Sequence, residues 1–215
     1  IKKDICITIN PDTNEHLLYP INIIKNIYNN NQYNYIKTNI NPKDYFLFDN
    51  VPIVNGSFSQ NSLILNKMLK KKVQQIIQND EKILDLYCGS GNFTIDLTKE
   101  KYIIGVDIDP IAIQKANELS NFQYKIGNEN IMSEYLYKEN WDTILLDPPR
   151  TGAKKIIPYL KEAKAKKIIY ISCEPVTMCR DIRELIQKGW QLHNIIGIDM
   201  FPHTPHIESI TILLK

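Results

Sequence analysis

Lys82-Ile83-Leu84-Asp85-Leu86-Tyr87-Cys88-Gly89-Ser90-Gly91-Asn92-Phe93 is the stretch on which the reading of this chain turns. An apolar run is interrupted by one acidic residue and closes on two glycines one position apart. An apolar-periodic segment with Phe93, Ile95 and Leu97 follows. This order predicts a buried strand, a tight turn and a helix start over residues 92–99. Gly89 and Gly91 allow turn conformations closed to other residues and let a ligand approach the backbone. Nucleotide-binding folds of several chemistries open this way, so the stretch fixes an architecture and leaves the reaction open. Thr94 stands where a dinucleotide fingerprint has its third glycine. The next predicted strand, 102–107, ends in Asp107, an acid suited to any ribose hydroxyl pair.

Outward from this stretch the pattern repeats. Strands are predicted at 82–87, 102–107, 122–126, 142–146 and 167–172, with helices at 92–99, 110–119, 128–138, 153–163 and 176–187. Such alternation implies crossover units on a parallel sheet. Two apolar-rich runs, 191–200 and 207–214, have no helix between them and are expected to close the sheet edge as an antiparallel pair. The fold class is therefore α/β, a Rossmann-like, mostly parallel sheet with a C-terminal antiparallel hairpin. A helix capped by Ser59, with Leu63, Ile64, Met68, Val73, Ile76 and Ile77 as its apolar stripe, precedes the first strand. Residues 1–58 lack helical periodicity. They are expected to form a small β-rich region, with Ile5 to Ile9 a strand, Asn10-Pro11-Asp12 a turn, a short helix at 21–28 and strands at 33–40 and 45–48. The division is thus 1–58 and 59–215.

The 215 residues carry a net charge of +2, with 43% hydrophobic and 23% charged residues, the balance of a globular protein. The charge neither requires nor opposes a nucleic-acid partner. The basic runs Lys70-Lys71-Lys72 and Lys161 to Lys167 read as solvated faces. Cys6, Cys88, Cys173 and Cys179 form no Cys-x-x-Cys pair, so no metal site is expected, and reduced thiols point to a cytoplasmic location. No apolar run reaches the ~18 residues of a membrane span. The chain begins with Ile1, and a longer parent protein is expected.

Two further strings stand where an open α/β sheet binds its ligands, outside the carboxyl ends of strands. Asp147-Pro148-Pro149-Arg150 follows an apolar strand, and its prolines pre-set the backbone. Cys173 ends the strand that runs through Ser172, and a helix starting near Pro175 is expected to bias its thiol toward thiolate. Cys88 and Cys179 read as packing residues.

Taken in order, Gln60, the turn Asp85 to Asn92, Asp147-Pro148-Pro149-Arg150, Ser172-Cys173-Glu174-Pro175 with Arg180-Asp181, and Asp199-Met200-Phe201-Pro202-His203-Thr204-Pro205-His206-Ile207-Glu208 resemble the RNA uracil-C5 methyltransferases. The resemblance covers roughly residues 56–215. It implies a class I methyltransferase domain that uses S-adenosyl-L-methionine. It implies Cys173 as nucleophile, Glu208 as general base, and cofactor contacts at Gln60, Tyr87, Gly89, Asn92, Asp107 and Asp147. Arg150, His203 and His206 are candidates for contact with RNA. The string Asp199 to Thr204 resembles the 23S ribosomal RNA branch more than the tRNA uridine-54 branch. A monomer is expected. An iron–sulfur cluster, present in some members, would need upstream residues, as would the family's N-terminal RNA-binding barrel, so the chain alone is expected to bind RNA weakly. Two positions depart from the family pattern. Glu174 replaces a usual asparagine, and its charge is expected to raise the thiol pKa. Met178-Cys179 replaces a usual Leu-Ala pair, a packing change.

The chemistry explains the residue types. A thiolate adding to C6 of uracil turns C5 into a nucleophile, and a carboxylate then removes the C5 proton. The target base must leave its stack to be reached. Two other readings compete. An amino-group methyltransferase has an Asp/Asn-Pro-Pro-Tyr loop like Asp147 to Arg150 but needs neither Cys173 nor Glu208. A non-catalytic RNA-binding homologue would be consistent with Glu174.

Overall fold

The computed structural model describes residues 6–9, 11–13, 16–19, 45–60, 62–200, 203 and 206–215. The expected helix at 21–28 and strand at 33–40 lie outside these residues. Two short antiparallel hairpins come first, β1 (Cys6–Ile9) with β2 (His16–Tyr19) and β3 (Tyr45–Phe48) with β4 (Val51–Val54). Helix α1 (Leu63–Ile76) leads into the main sheet. Its elements follow as β5 (Lys82–Leu86), β6 (Tyr102–Asp107), α2 (Pro110–Leu119), β7 (Gln123–Ile126), α3 (Glu129–Leu136), β8 (Trp141–Leu146), α4 (Ile157–Leu160), β9 (Ala165–Ser172), α5 (Pro175–Ile186), β10 (Gln191–Ile198) and β11 (Glu208–Leu214).

The seven strands lie in the order β10-β11-β9-β8-β5-β6-β7. β5 to β9 are mutually parallel, and β11 runs antiparallel to both β9 and β10. The order reverses at β5, which places its carboxyl end and those of β6 and β8 around a crevice. The central strands β5, β6, β8 and β9 read as near-continuous apolar runs because both their faces are covered. Side chains alternate across the sheet with period two. Leu84, Leu86, Ile144, Leu146 and Ile168 pack against α3, α4 and α5 on one side. Ile83, Leu145, Ile169, Ile210 and Ile212 pack against Leu69, Val73 and Ile77 on the other. Each such aliphatic side chain, fully buried, contributes about 1.5–3 kcal/mol.

Four local expectations are corrected. Ser62 rather than Ser59 caps α1, its hydroxyl accepting from the Leu65 N–H at 3.3 Å. The buried face of α1 is Leu63, Asn66, Leu69, Lys70 and Val73, while Ile64 and Met68 point to solvent. Residues 92–99 form successive turns instead of a helix. Phe93, Thr94 and Ile95 are all buried, Phe93 in the α1 cluster and Ile95 in the β3–β4 cluster. A single helical face cannot bury three consecutive residues in two directions. The predicted helix at 153–163 contracts to one turn, Ile157–Leu160.

Lys70 also departs from the solvated reading of its run. It is 2% exposed and pairs with Asp49 at 3.0 Å and Asp96 at 2.7 Å. It thereby ties the tip of the β3–β4 hairpin to the segment after the glycine turn. The same hairpin buries Phe46, Phe48, Val51 and Ile53 against Ile95, Ile113 and Tyr124. The Ser90 hydroxyl adds a bond to the Pro52 carbonyl at 2.7 Å.

Candidate functional site

The carboxyl ends of β5, β6, β8 and β9 and the start of β11 meet at one side of the sheet, and strand register decides which residues face each other there. Ser172 on β9 pairs with Ser209 on β11, so one step further Cys173 stands opposite Glu208. Ser209 donates its hydroxyl to the Ser172 carbonyl at 2.9 Å, which locks this register. The Asp147 N–H reaches the Leu86 carbonyl at 3.3 Å, which seats Asp147 beside Tyr87. Thus residues far apart in sequence converge through main-chain pairing alone.

The glycine turn is built around two acids. Asp107 accepts the Gly89 N–H at 2.8 Å on one carboxylate oxygen and the Asp109 N–H at 2.9 Å on the other. Tyr87 takes a left-handed backbone, φ +62°, to bend the chain out of β5. Gly91 has φ +84°, and a Cβ there would lie 2.8 Å from the Tyr124 hydroxyl, so the turn admits no side chain. Asn92 makes a reciprocal amide pair with Asn66 of α1, at 2.7 and 3.0 Å. Gln60, half-buried, lies on the connection between β4 and α1.

Asp85 was visible in the sequence only as one acid in an apolar strand. It is fully buried, and Thr94 donates to its Oδ2 at 2.6 Å while Oδ1 has no hydrogen-bond partner. Burial, opposed by the Thr94 bond and reinforced by Asp107, pushes its pKa up to about 7. Burial also lifts Asp147 well above the usual carboxylate range, with Glu208, Asp85 and Asp107 adding repulsion. Burial alone raises Glu208, 2% exposed, to about 7.

Cys173 is half-buried at the end of β9. Burial and the Glu208 carboxylate raise its thiol pKa, a hydrogen bond from Arg150 and that cation's charge pull it down, and Asp147 raises it again. The net direction is upward, which corrects the expectation that the helix behind it would leave a thiolate-biased cysteine. Burial is the largest cause, with the Glu208 and Asp147 carboxylates behind it. The expected penalty from Glu174 also takes a different form. Glu174 is the N-cap of α5, its carboxylate accepting from the Val176 N–H at 3.4 Å. Its charge is directed to the helix terminus, where an anion is stabilising. Met178 packs in the core, its sulfur accepting from the Thr211 hydroxyl at 3.2 Å and lying at the same distance from the Ser209 oxygen, while Cys179 is exposed.

Register and electrostatics therefore join Cys173, Glu208, Asp147 and Arg150, with Tyr87, Gly89 and Asp107 on the adjoining crevice. His203 lies at an exposed turn with φ +65°, and His206 is half-buried two residues before Glu208. Sequence reasoning missed Asp85, Thr94 and Asn66 as site residues. The available signal was a polar residue in a strand or helix face otherwise apolar. Among the described residues no group of His, Cys, Asp and Glu has the arrangement of a metal site, and no helix is long and apolar enough to cross a membrane.

The sequence model of the tRNA (Uracil-5-)-methyltransferase family matches residues 25–136 and 112–215. A 23S rRNA (uracil(1939)-C(5))-methyltransferase RlmD of Vibrio parahaemolyticus is 34% identical over 176 residues, which cover 77% of this chain and 40% of that protein. The chain thus spans about two fifths of the length of such curated relatives. The crystal structure of the Pyrococcus abyssi tRNA (uracil-54, C5)-methyltransferase in complex with S-adenosyl-L-homocysteine superposes with a TM-score of 0.75 and 26% identity, over 98% of this chain and 59% of that one. The magnesium protoporphyrin IX methyltransferase of Synechocystis PCC 6803 with bound SAM shares the fold, with a TM-score of 0.56 at 15% identity over 74% of this chain and 86% of that one.

Proposed function

Because the chain belongs to the tRNA (uracil-5-)-methyltransferase family, we propose that it forms the catalytic domain of an enzyme that methylates C5 of a uridine in RNA, with S-adenosyl-L-methionine as donor. The observation that carries this reading is the pairing of Ser172 with Ser209, whose continuation by one step brings Cys173 to Glu208, a carboxylate close enough to act on the thiol. An amino-group methyltransferase has no use for that pair, and a mere RNA-binding homologue has no reason to keep it.

The crevice fits a cationic donor. Asp85, Asp107, Asp147 and Glu208 crowd their charges, and Asp85 Oδ1 is buried without a partner. A positive ligand relieves both conditions. In this reading Asp107 holds the ribose hydroxyls, since each carboxylate oxygen keeps a lone pair beyond the one that accepts the Gly89 or Asp109 N–H. Tyr87, Gly89 and Asn92 line the same crevice, Asp147 faces the reacting end and Gln60 borders it. Bound there, the donor supplies an activated methyl group.

Cys173 adds to C6 of the uracil ring, and the displaced electron pair makes C5 the nucleophile toward that methyl. Arg150 stabilises the sulfur as thiolate by a charge-assisted hydrogen bond. Once C5 carries the methyl, Glu208 takes the C5 proton. The pair left behind re-forms the C5–C6 double bond and expels Cys173 as thiolate. A pKa of about 7 suits Glu208 to this step, since it can accept the proton and release it again near neutrality. Arg150, His203 and His206 are placed to contact the RNA chain.

The similarity to 23S rRNA enzymes supports ribosomal RNA as the substrate, with tRNA as the second candidate; a cytoplasmic monomer belongs to the same proposal. Domain 59–215 carries the chemistry. The test is RNA containing 5-fluorouridine, in which the proton that Glu208 must remove is replaced by fluorine. The wild-type protein with donor should form an adduct that survives denaturing electrophoresis, and Cys173→Ala should form none. A wild-type protein that methylates ordinary RNA without ever forming the adduct would overturn the covalent route.

A further inference from the structure

Helix α5 grips the turn that carries Arg150, residue by residue. The Thr177 hydroxyl donates to the Arg150 carbonyl at 2.9 Å. Arg180 Nη2 donates to the Thr151 carbonyl at 3.0 Å. Asp181 Oδ2 accepts the Ala153 N–H at 2.7 Å. Between them Gly152 has φ +79°, and a Cβ there would come within 2.6 Å of both Arg180 Nη2 and Asp181 Oδ2. The grip is as tight as backbone and side chains allow.

Asp181 is 0% exposed, and a buried carboxylate is costly unless fully paired. It is fully paired. Besides Ala153 it accepts from the Tyr170 hydroxyl at 2.7 Å, and Arg180 approaches its Oδ1 through Nε at 2.8 Å and Nη2 at 2.7 Å. Satisfied buried networks of this kind are rigid. Arg150 itself is exposed, with a long side chain that has many rotamers. Helix α5 anchors its backbone, and that anchor limits where the guanidinium can go.

We propose that Asp181, acting with Arg180 and Thr177, is a positioning residue for the methyl-transfer reaction, fixing the 150–153 turn so that the Arg150 guanidinium stays on the Cys173 thiol. The charged groups that act on this thiol are Glu208 from β11, Asp147 from the end of β8 and Arg150 from the turn. Two of the three disfavour the thiolate, so Arg150 is the one that must be held in place. The catalytic meaning rests on the function proposed above, but the contact can be measured without it.

The experiment follows alkylation of Cys173 by iodoacetamide as a function of pH. The full chain is used without RNA or donor, and the Cys173 peptide is quantified by mass spectrometry so that exposed Cys179 does not interfere. Arg150→Met sets the scale, and its profile should move to higher pH. Asp181→Asn and Thr177→Val should move it in the same direction, slowing alkylation at neutral pH by about three-fold or more, since the thiolate is the reactive form. Arg150→Met added to Asp181→Asn should give little further change. If Asp181→Asn does not fold, Thr177→Val, which loses one hydroxyl and keeps its shape, decides alone. A folded Asp181→Asn or Thr177→Val protein with the wild-type profile overturns the proposal, as does an Arg150→Met protein with that profile. Shifted profiles in a chain that methylates no RNA would leave the positioning role standing and refute the function reading instead.

Discussion

Replacing Glu208 with Gln should stabilise the fold in alkaline solution and do nothing in acid. The carboxyl is 2% exposed, and burial raises its pKa from the usual 4.5 to about 7. In the unfolded chain the group titrates near its ordinary value. Between the two values the folded protein holds a proton that the unfolded chain has released, so stability falls as pH rises through that window. A tenfold change in proton affinity is worth about 1.4 kcal/mol, and the gap therefore amounts to about 3 kcal/mol at most. A glutamine at this position has nearly the same shape and no proton to lose. Urea unfolding of both proteins by circular dichroism should show matching stability near pH 4 and a Glu208→Gln advantage of about 2–3 kcal/mol near pH 8.5. Asp85 titrates in the same direction without contact with Glu208 and is common to both proteins, so its contribution cancels; Asp147 is held protonated partly by the Glu208 charge, and losing that repulsion adds to the alkaline advantage of the variant. A difference that does not change with pH, or that favours glutamate in alkali, would show that Glu208 is not a buried acid. The same variant should fail to release methylated RNA and should accumulate the covalent complex, which makes the residue a site where function costs stability.

Asp107→Ala should weaken S-adenosyl-L-methionine binding far more than Asp12→Ala, an exposed control; equal calorimetric affinities would remove Asp107 from the donor site. Lys70→Met should cost about 3 kcal/mol in urea unfolding, because Asp49 and Asp96 lose their buried cation, with Lys67 and Gln74 remaining as lesser partners; a loss under ~1 kcal/mol would show the pair to be a surface contact. Glu174→Asn should change stability by less than ~0.5 kcal/mol, both residues being able to accept the Val176 N–H, and should leave Cys173 alkylation unaltered; a marked acceleration would mean that the Glu174 charge does reach the thiol.

The parallel sheet was legible because strands buried on both faces are written as near-continuous apolar runs, as β5, β6, β8 and β9 are. The C-terminal hairpin was legible from two apolar-rich runs with no helical period between them. Residues 92–99 misled because apolar residues at short intervals fit a helix as well as a wall of turns. What decides between them is that Phe93 and Ile95 enter different clusters, a tertiary fact. Lys70 misled because a triple lysine reads as solvent-facing until Asp49 and Asp96 are brought to it from 21 and 26 residues away.

The site was legible as a set of residues and not as an electrostatic system. Sequence placed Cys173 at a strand end ahead of a helix and concluded that its proton would be easily lost. The folded chain adds what linear order hides: β11 returns antiparallel and sets Glu208 opposite the thiol, while Asp147 stands at the neighbouring strand end. Burial first, and then these charges, hold the proton on sulfur, and Arg150 alone among the three named neighbours opposes them. The one charge that the sequence did flag, Glu174, is directed to the first turn of α5 instead. Any positive ligand entering beside Asp147 and Glu208 would offset both carboxylates at once, so the crevice that fits a cationic methyl donor is also the crevice whose filling favours the thiolate. In the function proposed above, Cys173 and the donor crevice are in that sense one electrostatic unit, joined by the acids that act on both.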